Sequence, residues 1–268
     1  MTLVYSSFVT RMWLWDDSYI GCERGTAFSS VGPKEEACGE LGSVCGGEDC
    51  DPDTVLEMYH YTNGTFLELN GFLEDAIYEF REAVSINPRD GFYRYNLGVA
   101  LLKNGQFNEA YKELTESLRL EPDNFEARCA LADVHSEIGR SLELEGREEA
   151  AADEFREAIA IDPEYPDYHA CLGRVLLAIS SDSAGMTGLP DQGALEAAVG
   201  HLRTALRLDP GCQGARLSLG TALIMDGPGR ALDEGIALLN AVLLADPLND
   251  EARSRLSDAR KLKSRGAC

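Results

Sequence analysis

Thiols are the side chains here most able to do chemistry. Four of the eight cysteines, Cys22, Cys38, Cys45 and Cys50, fall within the first 56 residues, in a glycine-rich setting (ACGELGSVCGGEDC). Clustered thiolates suit zinc and iron–sulfur clusters alike. Their spacings of 15, 6 and 4 intervening residues match no paired CxxC zinc ribbon, and the first histidine, His60, lies beyond the segment. Three readings stand: a metal site, disulfides (which a reducing compartment disfavours), or free thiols in an irregular N-terminal segment. No cofactor and no metal ligand is assigned. Cys129, Cys171, Cys212 and Cys268 are scattered, and Cys129 and Cys171 read as small packing residues.

The other reactive types form no constellation. The sequence contains no GxSxG, no GxxxxGK and no HExxH, the patterns that mark nucleophile, phosphate and zinc chemistry. His60, His135, His169 and His201 read as structural or surface residues. The Glu and Asp pairs recur at helix-surface spacing, where solvated faces and intrahelical ion pairs account for them. A segment of 56 residues is too short for most catalytic domains, so the expectation is a chain that is not an enzyme.

Charge narrows the partners. The chain carries 46 acidic and 24 basic residues, a net charge of −22, which argues against nucleic acid as a ligand. Such a surface keeps a protein soluble, and it also steers basic partners inward. Only 5 of the 24 cations are lysine, a balance that a GC-rich or salt-adapted genome also produces. Residues 248–268 run against the trend, with six basic residues to three acidic, enough to pair with the acidic body of another copy or to complement a helix dipole. No apolar run reaches the length of a membrane span. The opening MTLVYSSFVTRMWLWDDSYIG is broken by Arg11, Asp16 and Asp17 and is not expected to be a signal peptide. The expected location is the cytoplasm, with no membrane contact.

The elements that position these residues are set by five recurring tripeptides. They are Ile86-Asn87-Pro88, Leu120-Glu121-Pro122, Ile161-Asp162-Pro163, Leu208-Asp209-Pro210 and Ala245-Asp246-Pro247, with prolines 34, 41, 47 and 37 residues apart. Twelve residues before each proline stands Ala76, Ala110, Ala151, Ala198 or Gly235. Eight before stands Phe80, Leu114, Phe155, Leu202 or Leu239, and five before Ala83, Ser117, Ala158, Ala205 or Val242. Steps of four and three place each trio on one helical stripe, with small residues where a neighbouring helix approaches. Gly64, Gly98, Gly173 and Gly220, with Ala132, take that part on a preceding helix. Gly71, Gly105 and Gly146 sit in the turn between, where a left-handed residue is needed.

Departures from the period carry expectations of their own. The third unit has seven extra residues and no break over 125–145, so a lengthened first helix keeps its phase. The fourth has thirteen extra in 180–193 (SSDSAGMTGLPDQG), a composition that predicts a mobile loop. Asp226-Gly227-Pro228-Gly229 lengthens a turn in the fifth. Residues 250–264 predict one more helix, with Ala252, Leu256 and Ala259 inward and Arg253, Arg255, Arg260, Lys261 and Lys263 outward, closing the last apolar face.

On these residues the stretch 57–247 resembles five tetratricopeptide repeats. The resemblance implies an all-α solenoid: antiparallel helix pairs at 57–90, 91–124, 125–165, 166–212 and 213–249, stacked in a right-handed superhelix, followed by a capping helix and tail at 250–268. It also implies a protein–protein scaffold whose first helices line a concave groove holding a peptide or protein segment. Family offsets map that groove to Met58, Tyr61, Thr65 and Glu68, then Phe92, Tyr95, Asn96, Val99 and Lys103. Glu126, Cys129, Asp133 and Glu137 follow, then Asp167, Ala170, Arg174 and Leu177, and last Leu217, Thr221 and Ile224. Of these, Tyr61, Thr65, Phe92, Tyr95, Asn96, Val99, Lys103, Asp133, Glu137 and Arg174 are the expected partner-binding residues. The groove is aromatic, then acidic, then aliphatic, so the expected ligand joins apolar anchors to a central Lys or Arg. The N-terminal segment, with Trp13 and Trp15, is the competing occupant. Chaperone-tail binding is disfavoured. Asn96 matches the middle Asn of that family's carboxylate clamp, but Tyr61, Thr65, Glu126 and Ala130 stand where its other clamp residues belong, Glu126 where a cation is needed. The alternative function is a metal- or redox-linked accessory protein using the N-terminal cysteines, with the repeats as its docking arm.

Overall fold

Amphipathic segments that end in Asn/Asp/Glu-Pro fold as helices and stop where proline cannot continue them. The computed structural model of the chain describes residues 51–187, 190–227 and 230–265, excepting the side chains of 184–187, 230 and 265. Among these residues lie eleven α-helices and no strand. Five antiparallel pairs follow in order: α1 (Pro52–Leu69) with α2 (Leu73–Ile86), α3 (Gly91–Lys103) with α4 (Phe107–Leu120), and α5 (Phe125–Leu144) with α6 (Glu148–Ile161). Then come α7 (Pro166–Thr187) with α8 (Gln192–Leu208) and α9 (Gln213–Met225) with α10 (Arg230–Ala245), and α11 (Asp250–Arg265) packs against α9 and α10. The backbone falls into two compact units, Met1–His60 and Tyr61–Cys268, and the solenoid core lies in the second. Cys22, Cys38, Cys45, Cys50, Trp13 and Trp15, and every expectation attached to them, lie outside the described residues.

The stripe read from the prolines is the core. Phe80, Leu114, Phe155, Leu202 and Leu239 have no exposed surface, and the small residues around them are equally shut off. The approach of first to second helix is close. A Cβ on Gly98 would stand 2.6 Å from Leu114 Cγ, and one on Gly173 would stand 2.5 Å from Leu202 Cγ. Gly71, Gly105 and Gly146 take φ of 83°, 76° and 71°. The amides that follow them reach back to close the helix ends: Phe72 N to Leu67 O, Gln106 N to Leu101 O, Arg147 N to Leu142 O. Asp90, Asn124, Asp191 and Asn249 cap the next helices through their side-chain oxygens. Ala252, Leu256 and Ala259 of α11 are buried, and its arginines and lysines face outward wherever their side chains are described.

Three expectations need correction. Helix α1 starts at Pro52, earlier than the boundary at 57. The small residue against Phe155 is Gly139, whose added Cβ would stand 3.0 Å from that ring, whereas Ala132 packs with Ala158 and Tyr168. Both lie on one face because the insertion spans seven residues, almost two turns. The third correction is larger. The expected loop at 180–193 is mostly helix: α7 continues to Thr187 and α8 begins at Gln192. Ser180 is fully buried and donates Oγ–H to the Asp191 carbonyl over 2.9 Å, while Ser181 donates to Leu177 O. Serines that bond back onto helix carbonyls, or across to a neighbouring segment, lose their bias toward turns.

Candidate binding face on the first helices

Residues four apart lie one above another on a helix, and Tyr95, Val99 and Lys103 run down α3 in that way. Facing them, Glu126, Cys129, Asp133 and Glu137 run down α5. Between the two rows lies a cleft of about 730 Å³, lined also by Leu102, Phe107, Phe125 and Ala130. Its floor is apolar, and Glu126, Asp133 and Glu137 supply its charge. Lys103 is the cleft's single lysine, and its Nζ is committed to Glu68 Oε1 at 2.7 Å. Glu137 sits 3.6 Å from Arg140. Asp133 Oδ1 accepts the hydroxyl of Tyr168, a ring buried on α7, at 2.7 Å.

Two groups of the cleft, Tyr95 and Cys129, are pushed toward their neutral forms. Burial raises the pKa of the Tyr95 phenol, and the charge of Glu126 raises it further, so the hydroxyl is a donor near pH 7. Burial raises the Cys129 thiol as well, with Asp162 and Asp133 adding to the shift. That keeps Cys129 a thiol, the unreactive form.

The other expected residues gather elsewhere. Tyr61 packs on Phe92 at 5.2 Å and on Tyr93 at 5.5 Å between ring centroids, an aromatic cluster joining the first two pairs. Phe92 remains 42% exposed. Thr65 donates to the Tyr61 carbonyl, and Asn96 donates its side-chain amide to Phe92 O at 2.7 Å, so both are engaged within their own helices. Arg174 pairs with Glu143 of α5 and reaches Cys171 Sγ, away from the cleft. The aliphatic end offers little surface, since Leu177, Thr221 and Ile224 are buried and Leu217 is half-buried. Phe125 is the residue the family offsets missed. It opens α5 and is 64% exposed, and an aromatic side chain at a first-turn position with no stripe partner was the available signal.

A second polar cluster lies between α7 and α8. His169 Nδ1 and His201 Nδ1 stand 3.1 Å apart with their rings stacked, and His169 Nε2 meets the Pro163 carbonyl at 3.0 Å. The carbonyl only accepts, so His169 donates from Nε2. Burial holds the His201 pKa down, and the charges of His169 and Arg156 push the same way. Among the described residues no group of three or more His, Cys, Asp or Glu is placed to hold a metal ion, and no helix is long and apolar enough to cross a membrane.

Comparison with known proteins agrees with this geometry. Family models of the tetratricopeptide repeat match residues 91–124 and 128–165. Human tetratricopeptide repeat protein 7A is 29% identical over 106 residues, which is 40% of this chain and 12% of that protein. The antiviral innate immune response effector IFIT1 of Macaca fascicularis is 32% identical over 104 residues, 37% of this chain and 22% of that protein. The chain thus matches under a quarter of the length of either. YrrB, a solved structure described as a TPR protein with an unusual peptide-binding site, superposes with a TM-score of 0.51 at 16% identity, covering 84% of this chain and 98% of that one. A tetratricopeptide repeat protein from Parabacteroides merdae ATCC 43184 gives 0.52 at 16% identity, covering 79% and 75%. At such identities the superpositions speak to fold, and the fold is a tetratricopeptide-repeat solenoid.

Proposed function

We propose that this chain, built from tetratricopeptide repeats, is a non-enzymatic scaffold that holds a peptide or protein segment in the cleft between α3 and α5. The segment brings an apolar anchor and a Lys or Arg. The observation that carries this reading is the cleft's unbalanced charge: three carboxylates around an apolar floor, against one lysine already neutralised by Glu68. An apolar side chain gains by leaving water on Val99, Leu102 and Phe125. A cation gains from Glu126 and Glu137, and from the Asp133 oxygen that Tyr168 leaves unused. Peptide binding by YrrB is a precedent for ligand capture on this fold.

An array of synthetic peptides tests it, each with one aromatic or aliphatic anchor flanked by Lys, Arg, Ala or Glu. Purified protein should be retained by anchors with basic flanks and not by those with acidic flanks, and Tyr95→Ala should weaken retention. Preference for acidic flanks, or retention that Tyr95→Ala leaves unchanged, would rule the cleft out.

A further inference from the structure

Helix α5 outruns the first helix of the preceding pair. It has 20 residues against 13 in α3, and the two begin alike, capped by the side chains of Asn124 and Asp90. The extra seven residues carry α5 about 10 Å past the end of α3. Along that overhang the packing changes. Val134 is fully buried, but Ile138 and Leu142, at steps of four along the same face, are only half-buried. By their level α3 has ended and the chain has turned back into α4. A second cleft, of about 460 Å³, opens there between the end of α5 and the turn from α3 to α4. Gly105 and Phe107 line both this cleft and the one between α3 and α5, so the two meet at that turn. Gly105 raises no side chain at the junction, and an added Cβ would meet nothing within 4 Å.

The two clefts differ in charge. Glu126, Asp133 and Glu137 make the first one anionic. In the second, Glu109 is taken up by Arg81 at 2.7 Å, and Glu145 and Arg147 pair with each other at 3.3 Å. Its other polar lining is uncharged, and Phe107, Ile138 and Leu142 supply apolar surface. Such a site gives a cation little advantage and rewards a neutral apolar side chain for leaving water. Resting on the reading that the α3–α5 cleft holds a peptide, we infer that the same peptide continues past Gly105 and sets a second apolar anchor against Ile138 and Leu142. Ala130, in the first cleft, and Leu142 are twelve residues apart on one helix, about 18 Å. An extended peptide covers that distance in about five or six residues. The lengthening of α5 thus sets both the reach of the bound segment and the spacing of its anchors.

Fluorescence polarisation of labelled synthetic peptides on the full chain tests this. A one-anchor peptide carries a single Phe flanked by Lys. Two-anchor peptides add a Leu at about two, five or nine residues from that Phe, on one side or the other. The second anchor should tighten binding by about tenfold at about five residues, and by little at about two or nine. Ser141 is exposed and lines only the second cleft, so Ser141→Trp fills that cleft and leaves the first untouched. That variant should abolish the gain while one-anchor binding holds. Ser141→Glu, which sets a carboxylate beside the apolar anchor with less added volume, should reduce the gain as well. Circular dichroism checks that both variants fold. Equal affinity for one-anchor and two-anchor peptides at every spacing overturns the inference and leaves the first cleft as a binding site. A gain that both Ser141 variants leave intact does the same. Failure of the one-anchor peptide to bind at all overturns the reading of the first cleft, and the second anchor with it.

Discussion

The hydroxyl of Tyr168 reaches across from α7 to donate to Asp133 Oδ1 of α5 at 2.7 Å, on the edge of the acidic cleft. One carboxylate therefore joins two consecutive pairs and also faces any ligand. Burial, together with the bond to Asp133 and its charge, raises the phenol's pKa well above the ordinary tyrosine value, which fixes it as a donor.

Separating those two roles requires two substitutions. Tyr168→Phe should cost about 0.5–1.5 kcal/mol in chemical denaturation, the net worth of one such bond, and leave binding of a basic peptide nearly intact. Asp133→Asn keeps an acceptor for the phenol, so stability should hold while affinity for a basic peptide falls. Asp133→Lys confounds the two, because it also strands the buried hydroxyl. Equal loss of peptide affinity in Tyr168→Phe and Asp133→Asn would make Asp133 purely structural.

Two glycines of similar helical setting should respond in opposite directions. A Cβ on Gly98 meets fully buried Leu114 at 2.6 Å. Gly98→Ala should destabilise by about 1–3 kcal/mol, since overpacking outweighs the better helix propensity. Exposed Gly200, in the middle of α8, has nothing within 4 Å of an added Cβ. Gly200→Ala should stabilise by about 0.5–1 kcal/mol. Thermal melts of both proteins decide it, and a stabilised Gly98→Ala would mean the pair is less tightly packed than this geometry requires.

The histidine pair sets a pH dependence. The pKa of His201 is lowered in the fold, so the unfolded chain binds its proton more readily. Stability from this group is complete above about pH 6.5, the unfolded value, and declines as pH falls toward the lowered folded value. Denaturation midpoints from pH 8 down to about 5 should fall for the parent and fall less for His201→Asn, which retains one polar group near His169. Identical pH profiles for both proteins would remove His201 from the account.

Tyr95 anchors the cleft. Tyr95→Ala should cost a bound peptide about 2 kcal/mol, as loss of a rigid aromatic contact commonly does. Its stability should change less, because the ring is only partly buried. Calorimetric titration with a peptide retained by the array measures the first effect and a melt the second. A variant that melts far below the parent would place Tyr95 in the core rather than in the binding surface.

The solenoid, its buried stripe, its turn glycines and the inward face of α11 were all legible in the residues, because each rests on contacts repeated within one helix pair. A small residue, then a large one four later, then a small one three later has one stable use, and Phe80 and Leu114 show it in full burial. Even the shift from Ala132 to Gly139 was latent in a seven-residue insertion. What only the tertiary structure decided is which side chain meets which across pairs. Asp133 finds Tyr168 35 residues away, Lys103 finds Glu68, and His169 finds His201. The tertiary structure also decided that 180–187 continues a helix, because that depends on Ser180 reaching the Asp191 carbonyl in a neighbouring segment. Composition reports the local preference of Ser, Asp and Gly for turns, and a hydrogen bond from buried Ser180 to the Asp191 carbonyl, which forms only once the chain has turned back on α7, overrides it.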